Sequence, residues 1–311
     1  MKDDTGFLQA LLDGAGSIRI PYRGEPYVTG PLRLVSNTRL TLDAGVEIIA
    51  AQEGFEDRYA CLLEARYVEG VTINGSNAML RMRRAEYAKG DSGGGDQHRH
   101  GLAIRSSTDV SIFGLTICDT GGDGIYVGQF APDDAACRDI DIDGCVCQNV
   151  YRNGISVTSA MRAVVRNSGF VGAEGSPPQC GIVVEPSFAT SRIQDVMFEN
   201  CGTRDNAGGG VQVHFQQLGA ASEPVGVRFR NCLVLERRGY PVLAFSGEHA
   251  RGVVRFERCA LVPLPGGKAE PIYKAEWCKG PIALEVVDTF LRWPARAVEP
   301  EPDAEKAEVV R

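Results

Sequence analysis

Basic residues are in short supply in this sequence. Its 311 residues carry 33 Lys and Arg against 40 Asp and Glu, a net charge of −7. Nucleic acid is bound on basic surfaces, so this balance excludes it as a partner, although a local arginine can still hold an anionic glycan. No apolar run approaches the roughly 20 residues of a membrane helix. The start, MKDDTGFLQALL, lacks the basic opening and long apolar core of a signal peptide. The ten cysteines lack zinc spacing: Cys145 and Cys147 are one strand step apart, with no second close pair. Read as buried thiols, they lean towards a reducing compartment, or an exported protein if a leader was removed. The glycine run at 93–95 lacks the strand and helix of a phosphate or dinucleotide loop. No Leu-x-x-Leu-x-Leu or Trp-Asp signature marks a leucine-rich or propeller repeat.

What is present is a soluble composition, 43% hydrophobic and 23% charged, with 37 glycines and two interleaved repeats. One runs VTING at 71–75, VSIFG at 110–114, IDIDG at 140–144, AVVRN at 163–167, VMFEN at 196–200, VRFRN at 227–231 and VRFER at 254–258. Apolar residues two apart mark a strand. The closing Gly or Asn, with Arg258 the exception, suits a left-handed bend. After the bend come Leu115, Cys145, Ser168, Cys201, Cys232 and Cys259, a column of mostly small side chains for one wall. The second series is RHGLAI at 99–104, GDGIYV at 122–127, RNGISV at 152–157, QCGIVV at 179–184 and GGGVQV at 208–213.

Units of this length cannot bury an apolar face alone, but stacked coils can, with parallel strands about 4.8 Å apart. The pattern predicts an all-β fold, a single-stranded right-handed parallel β-helix over 1–293. Residues 1–20 form its N-terminal cap, with a short helix turning Phe7, Leu8, Leu11 and Leu12 to one face. Irregular strands are expected around Trp277 and Trp293, and a weakly ordered tail over 294–311.

The segment Asp3-Asp4-Thr5 with its helix, then Ile20-Pro21, Gly24 and Tyr27, then Leu40-Thr41-Leu42 with Gly45, resembles the opening of the pectate-lyase-like and polygalacturonase-like β-helix proteins. The resemblance covers about residues 3–290 and implies a pectin-lyase-like solenoid. Gly122-Asp123-Gly124 is similar to the Asn-Thr-Asp-Gly motif of the polygalacturonases. Arg152-Asn153 stands where two Asp follow in that family, and Gln179-Cys180 where Gly-His does. The resemblance therefore implies the scaffold and departs from that machinery.

The residue before each glycine is expected at the mouth of a groove: His100, Asp123, Asn153, Cys180 and Gly209 down successive coils. With them come Arg99, Arg152 and Gln179, the outward Tyr126, and, past the strand ends, Arg105, Thr158, Glu185 and His214. His100, Asp123, Arg152 and Glu185 are the candidate catalytic residues. Tyr126, Asn153, Gln179, Glu174, His214 and Arg99 are the candidate substrate-binding residues. Asp123 and Glu185 are offset along their strands by about 16 Å, against the roughly 5–10 Å of a hydrolytic carboxylate pair. A glycine-rich segment over 85–98, carrying Asp91 and Asp96, is a candidate flap.

A long groove with titratable groups points to an enzyme that cleaves glycosidic bonds, with hydrolysis slightly preferred. The alternatives are a lyase or uronate epimerase using Arg152 and His100, and a non-catalytic glycan-binding or structural β-helix. The expected partner is a poly- or oligosaccharide, with no membrane; oligomeric state is not legible. No metal or cofactor is called for by a hydrolase, whereas a lyase would bring in Ca²⁺.

Overall fold

The computed structural model describes residues 2–87, 97–266, 268, 270–274, 281–292 and 307–310. The candidate flap with Asp91 and Asp96, apart from its ends, and the segments holding Trp277 and Trp293 lie outside the described residues. Among those described, the strands form two sheets of nineteen and nine, nearly all parallel. Most coils add one strand to the smaller sheet and two to the larger. The nine-stranded sheet carries the glycine series in coil order, with Leu102, Ile125, Ile155, Ile182 and Val211 in register.

The other series occupies the larger sheet with its alignment as expected. Val71, Val110, Ile140, Ala163, Val196, Val227 and Val254 are in register. Two residues on, an interior column passes from Ile112, Ile142 and Val165 into Phe198, Phe229 and Phe256. Those rings stack with centroids 5.0 and 4.5 Å apart. Burial of such columns is the main stabilising term of a solenoid, and no coil can supply it alone.

The bends take the left-handed conformation at Gly114, Gly144, Asn167, Asn200, Asn231 and Arg258. The asparagines also bond from coil to coil: Asn200 Nδ2 donates to Asn167 Oδ1 at 3.2 Å, and Asn231 Nδ2 to Asn200 Oδ1 at 3.3 Å. VTING differs. Its strand runs on to Arg81, the register shifts between Asn74 and Ala78, and Asn77 takes the positive φ. Gly75 is there for close approach, since a Cβ would lie 2.5 Å from Leu115 Cδ1. Nine cysteines are described, all free and buried, as small apolar fillers.

The helix Thr5–Asp13 covers the first coil with Leu8 and Leu12 inward. Phe7 was expected beside them but is 56% exposed, because the contact face is narrower than the apolar stripe. At the other end Ala307–Val310 pair antiparallel with Thr289–Arg292, where a tail was expected.

Candidate functional site

Glycine opens the strands of the second series in the nine-stranded sheet because the wall behind stands close. A Cβ on Gly124 would meet Cys147 Sγ at 2.6 Å, and one on Gly154 would meet Phe170 Cβ at 2.6 Å. The residue before each glycine therefore has the parity of the interior. His100 is 1% exposed, Asp123 and Asn153 0%. Their side chains form a ladder along the axis. The Asp123 N–H donates to His100 Nδ1 at 3.0 Å, the Asn153 N–H to Asp123 Oδ1 at 3.1 Å, and the Cys180 N–H to Asn153 Oδ1 at 3.1 Å. Each side chain satisfies a buried N–H one coil on, an accounting the interior enforces.

This corrects the expectation of a column at a groove mouth. Asn153, expected as a substrate contact, is buried, and its Nδ2 donates to Ser156 Oγ at 3.0 Å. Arg99 is also turned away from solvent, donating from Nε to the Phe55 carbonyl at 2.5 Å and from Nη2 to that of Glu56 at 3.0 Å. Glu174 pairs with Arg238 at 2.9 Å, and neither it nor Gln179 lines the cavity described next.

On the outer face of the nine-stranded sheet lies a cavity of about 810 Å³, lined by His100, Tyr126, Arg152, Thr158 and Glu185 among others. Tyr126 points outward as expected. Its ring stacks on His100 at 4.8 Å and its hydroxyl is 2.9 Å from Thr158 Oγ1. Arg152 spans two carboxyls, with Nη1 3.4 Å from Asp123 Oδ2 and Nη2 3.5 Å from Glu185 Oε2. The bridged oxygens are thus at most about 9 Å apart, two contacts plus the ~2.3 Å between guanidinium nitrogens. The 16 Å offset counted from the sequence was a backbone distance, and the Arg152 side chain reaches both carboxyls.

Asp123 lies behind the cavity, and burial raises its proton affinity above the usual carboxylate range despite Arg152. Burial pulls Glu185 the same way, but His214 and Arg152 outweigh it and hold Glu185 below that range. His214 Nδ1 lies 2.7 Å from Glu185 Oε1, and its Nε2 lies 2.8 Å from Gln216 Oε1. Burial, then Arg105, keeps His100 well below ordinary histidine, hence neutral.

Further along, Arg105 pairs with Glu64 at 2.6 Å, and Tyr59 and Phe130 stand on the cavity walls. Glu64 and Tyr59 went unnoticed because their coil, CLLEAR, lacks the opening glycine; Leu63 and Ala65, two apart, were the available signal. Among the described residues no three His, Cys, Asp or Glu side chains gather as a metal site, and no helix is long and apolar enough to cross a membrane.

The family model described as "Right handed beta helix region" matches residues 69–259, more than half of the chain. The chain belongs to this family. Among right-handed β-helices of known structure, it is similar to the polygalacturonase from Erwinia carotovora ssp. carotovora (14% identity, 83% of this chain and 74% of that one, TM-score 0.57). It is similar to the tailspike protein gp49 of Acinetobacter baumannii bacteriophage Fri1, a capsular polysaccharide depolymerase (12%, 94% and 56%, 0.57). It is similar also to PfbA, a surface adhesin of Streptococcus pneumoniae (12%, 93% and 84%, 0.55). At such identities the likeness is one of fold. No curated protein matches the chain.

Proposed function

We propose that the protein is a carbohydrate-active enzyme that hydrolyses glycosidic bonds in an oligo- or polysaccharide. One observation carries this: Arg152 on the cavity lining bridges Glu185 and the Asp123 buried behind it, two carboxyls with proton affinities pushed in opposite directions. Their separation, at most about 9 Å, is below the upper end of the roughly 5–10 Å of a hydrolytic carboxylate pair. Divergent affinities are what an acid and a base working at one pH require. Glu185, with its proton affinity lowered, is the base or nucleophile; Asp123, with its proton affinity raised, is the acid. Its proton reaches a sugar oxygen only when Arg152 moves aside. The 3.4 and 3.5 Å contacts are long for charge-assisted bonds of about 2.7–2.9 Å, and Arg152 Nε has no partner among the described residues. The polygalacturonase and the depolymerase lend support as enzymes on this fold.

A lyase or epimerase fits less well. His100 Nδ1 already accepts the Asp123 N–H, so neutral His100 carries its proton on Nε2 and has no free site to take another. The second reading is a non-catalytic glycan-binding protein, favoured by the complete burial of Asp123 and its work in the ladder.

A panel of polysaccharides, assayed for new reducing ends and for unsaturated uronate, separates these. Reducing ends without unsaturation are expected, and Glu185→Gln is expected to slow their release by about 10³-fold while glycan binding persists. Unsaturated product would mean elimination. Binding without cleavage on every substrate would establish the second reading.

A further inference from the structure

Most of the cavity's charges are paired with one another. Of the four arginines lining it, Arg105 and Arg66 share Glu64 at 2.6 and 3.6 Å, and Arg152 sits between Asp123 and Glu185. The fourth, Arg33, stands at one end, with Asp57 also on the lining. A carboxylate or sulfate entering the floor would compete with a partly buried ion pair for its cation, and breaking such a pair leaves a charge uncompensated. The walls offer something different. Tyr59, on the loop before Leu63–Arg66, is 54% exposed, and Phe130, on the loop after Ile125–Gly128, is 45% exposed. They rise from opposite ends of two strands that flank Leu102–Arg105 in the sheet, so they face the cavity from two sides. Each is braced: His98 stacks on Tyr59 at 5.1 Å, and the Arg66 guanidinium lies over Phe130 at 4.6 Å. Braced, half-open rings beside paired charges suit the apolar faces and hydroxyls of an uncharged sugar, with little ordering cost on binding.

We infer that the ligand is a neutral oligosaccharide held between Tyr59 and Phe130, rather than a uronate or sulfated chain. This rests on the glycan reading above and adds the class of sugar. Strands stack about 4.8 Å apart, so this clamp lies some 10–20 Å along the axis from Glu185. A chain of several sugars is needed to occupy both.

Calorimetry on the full chain tests it, with maltohexaose, cellohexaose, xylohexaose and mannohexaose as neutral probes and hexagalacturonate as the charged one. At least one neutral hexasaccharide is expected to bind, with hexagalacturonate about tenfold weaker or more. Tyr59→Ala and Phe130→Ala should each weaken the neutral chain about tenfold, with Tyr59→Phe retaining it. Unchanged thermal melting establishes that the variants fold. Preferred binding of hexagalacturonate, neutral binding indifferent to both alanine variants, or no neutral binding overturns the inference. Glu185-dependent cleavage of hexagalacturonate would sink this inference and leave the hydrolase standing. A neutral chain bound through Tyr59 and Phe130 but never cleaved would do the reverse.

Discussion

At the scale of residues, the site shows why a column can be located in a sequence and its direction still missed. His100, Asp123 and Asn153 recur at one place before the glycine, and the register places them side by side. Which way they point depends on strand parity: each is two residues before an inward Leu or Ile, so each faces inward. The ladder makes a stability prediction. Asp123→Asn keeps an acceptor for the Asn153 N–H and should cost less than about 1 kcal/mol, whereas Asp123→Leu orphans that buried donor and should cost about 1–3 kcal/mol in urea unfolding. The exposed end of the site titrates differently. Glu185 is held below its ordinary range, so its ionised form persists until the pH falls well into the acid. His214→Ala removes the hydrogen bond that opposes burial. The acid limb of the cleavage profile should then move to higher pH. A merely structural His214 would lower the rate at every pH and leave the limb in place.

At the scale of elements, the repeat was legible because two physical demands coincide at each bend, an apolar alternation and a residue that tolerates positive φ. Where one demand was replaced by another the prediction slipped. Gly75 answers a close approach, so the first bend moved to Asn77. The amphipathic helix was visible, but its pattern could not say that Phe7 falls beyond the width of the coil it covers. Asp123–Glu185 proximity was illegible because side-chain reach, not strand offset, sets it. The bend column also holds one misfit. Arg258 takes φ +50 where its predecessors are Gly or Asn, and its Nε donates to Asn231 Oδ1 at 3.0 Å. Asn there would keep a donor for Asn231 and enter the left-handed region more readily. It gives up an Arg258–Glu257 pair half-open to solvent, worth little. Arg258→Asn should therefore stabilise the fold by about 0.5–1 kcal/mol, seen as a higher urea midpoint with an unchanged slope. Arg258→Val should go the other way.

At the scale of the whole molecule, a solenoid is only as stable as the contacts between successive coils, so a weak tie in the middle is felt on both sides. Glu236 is such a tie. Wholly buried, it accepts from Thr203 Oγ1 at 2.8 Å, from Asn206 Nδ2 at 3.0 Å and from the Asn206 N–H at 2.8 Å. Asn206 in turn donates to the Phe170 carbonyl at 3.2 Å and accepts the Ala173 N–H at 2.9 Å, so three coils share one network. Burial pushes Glu236 up to about 7, against the pull of Asn206 and Thr203. The sign follows from proton counting. Between its ordinary value of 4.5 and about 7 the folded chain holds a proton that the unfolded chain releases. Stability from this group is therefore full below 4.5, falls as the pH rises through that window, and stays low above it. The size is about 2–4 kcal/mol. Urea unfolding of the parent and Glu236→Gln at half-unit steps from pH 4.5 to 8 is the measurement. The difference between the two curves should slope across the window and flatten above 7. Folding near pH 6 should take up about one proton in the parent and none at this position in the variant. Amide exchange should lose protection first around 170–173 and 203–206 as the pH rises. Parallel curves would mean that the three donors hold Glu236 ionised throughout, and that the central coils carry no titrating tie.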